Sequence, residues 1–123
     1  YQRSRGLGDV YKRQTHKRGV PPFHYMVAMA GGHDIKCAKY ATFGTRELSK
    51  NILNALKDRK ACLIANHGQI AFEKNLAKAF ELAEEVENIS LMYITSLKLG
   101  KPKILSLDEM KKVLSKAKNY KKG

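Results

Sequence analysis

At 123 residues the chain holds at most one domain, and its 43% apolar share is enough for a globular core. No apolar run approaches the ~20 residues of a membrane span, and the polar, basic N-terminus lacks the apolar segment of a secretory signal. The net charge of +13 raises the question of nucleic acid, but the basic residues lack the interleaved aromatics of a base-stacking surface, so neither nucleic acid nor membrane is expected as a partner.

Tyr1–Gln14 (YQRSRGLGDVYKRQ) shows neither helical nor strand periodicity. Within it Ser4–Gln14 (SRGLGDVYKRQ) matches, residue for residue, the translation of a transposase adaptor used in sequencing libraries. Residues 1–14 are therefore expected to be foreign and unstructured. Residues 15–123 are then expected to be the C-terminal part of a single domain, entered mid-gene at about Thr15. Four basic residues and one acid lie in 1–14, so three of the positive charges do not belong to the natural protein.

Val20-Pro21-Pro22 is extended, because each proline restricts the residue before it. Phe23–Ala30 (FHYMVAMA) is apolar except for His24 and Tyr25 and rich in Met and Ala, which predicts a short buried helix ended by Gly31-Gly32. Ile35–Tyr40 (IKCAKY) alternates imperfectly and predicts a strand. Thr45 and Glu47 suit the cap and first turn of a helix, whose buried face is predicted to be Leu48, Ile52, Leu53 and Leu56. Lys57–Lys60 reads as its polar exit. Asn75 caps a long helix, Leu76 to Leu99, with the stripe Ala79, Leu82, Val86, Ile89, Tyr93 and Leu97; Gly100 and Pro102 stop it. Ser106 and Glu109 form a capping box for a last helix with Met110, Val113 and Leu114 on its apolar face. The lysines from Lys111 to Lys122 read as a solvated end.

The centre of the chain is Lys60–Glu73 (KACLIANHGQIAFE). Two apolar runs with β-branched and aromatic residues flank the break Asn66-His67-Gly68. Asn and Gly tolerate positive φ, so His67 is expected where one core strand turns into the next. A side chain at a rigid strand end has a fixed direction. By residue type alone it is a structural histidine or a site residue.

The histidines are His16, His24, His33 and His67, with no HxH or HxxxH pair, so the chain alone offers no complete zinc site. Cys37 and Cys62 match no metal spacing and are expected to be reduced thiols in a cytoplasmic protein. There is no GxGxxG or P-loop. Tyr25 beside His24 is either an acid/base pair or simple packing. Residue types alone lead to the C-terminal part of a soluble α/β domain.

Three stretches, PPFHYMVAMAGG, KYATFGTRELS and LIANHGQIAFEKNLAKAFELAEEVE, resemble in order the zinc-dependent class II aldolase/adducin family. HYM followed by AGG, and ATFGTRELS, resemble its fuculose-phosphate aldolase branch. The resemblance implies a three-layer α/β/α domain with a mainly antiparallel central sheet, assembled as a C4 homotetramer. It implies Zn2+ held by three histidines, two from an upstream HxH and the third His67. An upstream glutamate would act as acid/base and an upstream loop would bind phosphate; neither is in this sequence. Tyr25 matches a catalytic tyrosine that reaches the neighbouring subunit's site, and Phe43 matches a phenylalanine lining the site near the aldehyde. Tyr120 matches a C-terminal tyrosine at the subunit boundary, while Ala117 stands where the family often has an aromatic.

The implied reaction splits an L-fuculose 1-phosphate-type ketose into dihydroxyacetone phosphate and an aldehyde, placing the parent in fucose metabolism. Zinc polarises the substrate carbonyl and hydroxyl, and the tyrosine moves the proton of the aldehyde oxygen. With one zinc ligand of three, the fragment itself is expected to be inactive. Two rivals are an L-ribulose-5-phosphate 4-epimerase-like enzyme, against which TFGTRELS argues, and an adducin-like interaction module without zinc, against which His67-Gly68 and Tyr25 argue.

Overall fold

The computed structural model describes residues 2–4 and 18–120. Its centre is the hairpin of β3 (Ala61–Ile64) and β4 (Gly68–Ala71), with Ala61 opposite Ala71 and Ile64 opposite Gly68. Every residue of both strands is buried. Cover on both faces explains why the two runs are almost continuously apolar rather than alternating. β2 (Cys37–Ala38) adds to β3 in parallel and β1 (Gln2–Ser4) to β4 antiparallel, in the order β1-β4-β3-β2.

Side chains alternate across the strands. Ala61, Leu63 and Ala71 face a core with Val27, Leu82, Val86, Ile89 and Met110, formed by the 3-10 helix Tyr25–Ala30, α2 (Leu76–Lys98) and α3 (Leu107–Tyr120). Cys62, Ile64 and Ile70 face the opposite way, onto Leu48 and Ala55 of α1 (Arg46–Leu56). The result is the expected helix–sheet–helix layering. None of the described helices is long and apolar enough to cross a membrane.

The caps form where expected. Thr45 Oγ1 accepts from Leu48 N, Asn75 Oδ1 from Lys78 N and Ser106 Oγ from Glu109 N, at 3.3, 2.9 and 3.1 Å. Each satisfies a donor that the first helical turn leaves open. Gly31, at φ 91°, ends the 3-10 helix. A Cβ at Gly31 would lie 3.0 Å from Lys60 N, and one at Gly32 2.9 Å from Arg59 Cγ. The glycine pair thus stops a helix, as expected, and also clears the approach to β3.

Four details differ from expectation. The strand predicted over Ile35–Tyr40 shortens to Cys37–Ala38, because Ile35 bridges to Val20 and the Lys39 carbonyl accepts from Asn51 Nδ2 at 3.1 Å. On α1, Leu53 is 68% exposed and Ala55 is buried. At 100° per residue Leu53 lies about 140° from Leu48 and Ala55 only about 20°. Arg59, read as part of a polar exit, has a side chain only 7% exposed. Gln2–Ser4 falls in the stretch expected to be unstructured, yet pairs with Gln69–Ala71. The free edge of a strand presents backbone N–H and C=O groups that any extended segment can pair with, whatever its side chains. The rest of 1–14 lies outside the described residues.

Candidate active site

β3 ends at Ile64, and the chain turns through Ala65, Asn66 and His67. His67 N donates to the Ile64 carbonyl at 3.0 Å, and Asn66 sits at φ 56°. The third residue of such a turn needs positive φ, which asparagine tolerates. Asn66 is thus the local reason His67 stands at the end of the hairpin, half-buried.

The loop that carries Phe43 starts from the same end of the sheet by another route. β2 and β3 run parallel, so their carboxyl ends lie side by side, and Ala65 N donates to the Ala38 carbonyl at 3.0 Å. The chain leaves β2 there and loops to the Thr45 cap of α1. Within that loop Thr45 Oγ1 donates to the Thr42 carbonyl at 2.6 Å, and Gly44 has φ 78°. Phe43 is 78% exposed at its tip. The ends of adjacent parallel strands are a recurrent place for ligands in open α/β sheets.

Tyr25 belongs to a different layer. It opens the 3-10 helix, is 56% exposed, and its ring stacks on His24 with centroids 4.9 Å apart. The Phe43 loop and the His67 turn thus start from neighbouring strand ends, whereas Tyr25 lies on the 3-10 helix. His24 and Tyr25 pack rather than form an acid/base pair, since His24 Nδ1 accepts from Met26 N at 3.1 Å.

His67 supplies one imidazole of a kind that suits zinc. Among the described residues no three His, Cys, Asp or Glu side chains form a metal cluster; His16 lies outside those residues. Tyr120 ends α3. Cys37 and Cys62 form no disulfide, and burial, helped by Cys37, pushes the Cys62 thiol up to about 12.

Two polar residues carry structure that the sequence reading missed. Arg59 Nε donates to the Asp34 carbonyl and to Asp34 Oδ1, at 3.1 and 2.9 Å, and Nη1 to the Lys57 carbonyl at 2.9 Å. Gln69, fully buried in β4, donates through Nε2 to the Ala83 carbonyl of α2 at 3.1 Å, tying hairpin to helix. Its signal was a polar residue inside an apolar strand.

Residues 10–94 match the sequence model of the Class II Aldolase and Adducin N-terminal domain. The chain belongs to the class II aldolase and adducin family. It is 53% identical over 103 residues to the 5-methylthioribulose-1-phosphate/5-deoxyribulose-1-phosphate aldolase of Rhodospirillum rubrum, covering 84% of this chain and 47% of that protein. It is also 53% identical over 104 residues to the L-fuculose phosphate aldolase of Escherichia coli K12, covering 84% of this chain and 48% of that protein. A solved L-fuculose 1-phosphate aldolase superposes with a TM-score of 0.85 and 38% identity, over 90% of this chain and 52% of that one. The chain spans about half the length of the curated relatives it matches. Class II aldolases are metal-dependent.

Proposed function

We propose that the whole protein is a zinc-dependent aldehyde-lyase that splits a ketose 1-phosphate into dihydroxyacetone phosphate and an aldehyde. This chain supplies the C-terminal half of its site and is inactive alone. The observation that carries the reading is that the His67 turn and the Phe43 loop leave adjacent parallel strands at one end of the sheet, in a chain 53% identical to two ketose-phosphate aldolases. Zinc as the metal, a homotetramer, and a cytoplasmic location belong to the same proposal and rest on the family resemblance.

The roles follow from side-chain chemistry. His67 would hold the metal through a neutral imidazole nitrogen, with its direction set by the turn at Asn66. A bound zinc ion supplies polarisation of the substrate's oxygens. Phe43 would cover the aldehyde end and exclude water there. In synthesis the Tyr25 hydroxyl gives its proton to the aldehyde oxygen as the carbon–carbon bond forms, and in cleavage it takes that proton back. Tyr25 is exposed on the 3-10 helix, which suits a role in the site of a neighbouring subunit.

The test is a cleavage assay of the full-length enzyme on L-fuculose 1-phosphate and 5-deoxyribulose 1-phosphate, with dihydroxyacetone phosphate measured as product. Release from at least one is expected, and its loss on chelation. Interconversion of pentulose 5-phosphates without dihydroxyacetone phosphate would replace this reading with the epimerase.

A further inference from the structure

An exposed tyrosine usually samples several side-chain directions on a fast timescale, and a proton-transferring hydroxyl needs one. Tyr25 is 56% exposed, yet it ends a run of four rings that begins in the core. Tyr93, half-buried on α2, packs on Phe23 at 4.9 Å between centroids; Phe23 lies 6.1 Å from His24; and His24 lies 4.9 Å from Tyr25, at an interplanar angle of 24°. All three separations fall in the range of favourable aromatic contact. His24 is held a second way. It caps the 3-10 helix, with Nδ1 accepting from Met26 N at 3.1 Å. That bond requires an unprotonated Nδ1 and leaves the ring proton on Nε2.

We propose that His24 is a positioning residue for Tyr25. Its ring is fixed by the cap and by Phe23, and it presents a flat face that sets the direction of the Tyr25 ring and so of its hydroxyl. This rests on the reading of Tyr25 as the proton-transferring group. The arrangement explains why a histidine serves here: asparagine would cap but not stack, and phenylalanine would stack but not cap.

The experiment uses the full-length enzyme and four variants: His24→Asn, His24→Phe, Tyr25→Phe and the double His24→Asn/Tyr25→Phe. His24→Asn keeps the cap, and its kcat is expected to fall roughly tenfold, the order an aromatic pair of this kind supplies, with KM little changed. His24→Phe is expected to retain most of the kcat. In the Tyr25→Phe background His24→Asn is expected to change nothing further, because the hydroxyl it would misdirect is gone. An equal fall of kcat in both backgrounds would show a general structural role and overturn the inference, as would an unchanged kcat in His24→Asn. If His24→Asn does not fold, a low kcat in folded His24→Phe overturns it. If Tyr25→Phe alone leaves kcat intact, the reading of Tyr25 fails and takes this inference with it. Loss of kcat in Tyr25→Phe with indifference to His24 would sink the inference alone.

Discussion

Ala65 donates its backbone N–H to the Ala38 carbonyl at 3.0 Å, and this bond sets the end of β2 beside the turn that follows β3. Phe43 leaves the first strand within a few residues and His67 leaves the second. Two residues 24 positions apart in sequence are thereby carried on loops from one end of a small sheet. Backbone pairing thus sets where both loops begin.

Asp34 and Arg59 offer a test of the scaffold behind it. Arg59 is buried and bonded to the carboxylate and carbonyl of Asp34. Removing the carboxylate leaves the guanidinium with backbone carbonyls alone, so Asp34→Ala should destabilise by about 3 kcal/mol. The double change with Arg59→Met should recover much of that. Denaturant unfolding of the full-length protein measures both, and a loss under about 1 kcal/mol for Asp34→Ala would show that water already compensates the guanidinium.

The two thiols should separate by reactivity. Cys62 is buried with its thiol pushed up to about 12, whereas Cys37 is half-exposed. The thiolate is the reacting species, so alkylation at pH 8 should label Cys37 in the folded protein and Cys62 only after unfolding. The linked stability has a definite sign. The folded-state value exceeds the ordinary 9.0, so the unfolded chain releases the proton first. This contribution is complete below about pH 9 and is lost as the pH rises towards about 12. Labelling of Cys62 at pH 8 without unfolding would contradict both statements.

Much of the fold was legible because it is local. The caps at Thr45, Asn75 and Ser106 need only a side-chain oxygen and the next turn, and the turn at Asn66 needs only a residue that accepts positive φ. The partners of Arg59 and Gln69 lay 25 and 14 residues away, and no local pattern announces such distant bonds. The common origin of the Phe43 loop and the His67 turn also needed topology, since the sequence does not state that β2 and β3 run parallel. His24 was visible as a residue beside Tyr25, but its cap and stack needed coordinates.

The adaptor-like stretch has its own check. Sequencing the natural gene should show other residues in place of Ser4–Gln14, continuous with a longer upstream frame. The same eleven residues in genomic DNA from the source would make them part of the protein.

Tyr25→Phe in the full-length enzyme keeps the ring and loses the hydroxyl. Metal content should stay and kcat should drop by ~10²–10⁴-fold, the usual share of a general acid. If the hydroxyl serves a neighbouring subunit, mixed tetramers of Tyr25→Phe and His67→Ala should regain some activity, because one subunit's intact His67 can use another's intact Tyr25. Verified mixed tetramers that stay inactive would return Tyr25 to its own subunit's site.

The central claim is that His67 holds a catalytic metal, and metal content measures it most directly. The full-length enzyme and its His67→Ala variant, purified alike, are analysed for zinc per subunit by elemental analysis, with circular dichroism to confirm folding. The account predicts about one zinc per subunit before the change and, after it, a large loss that matches the loss of activity. A folded His67→Ala protein that keeps its full zinc content would contradict it.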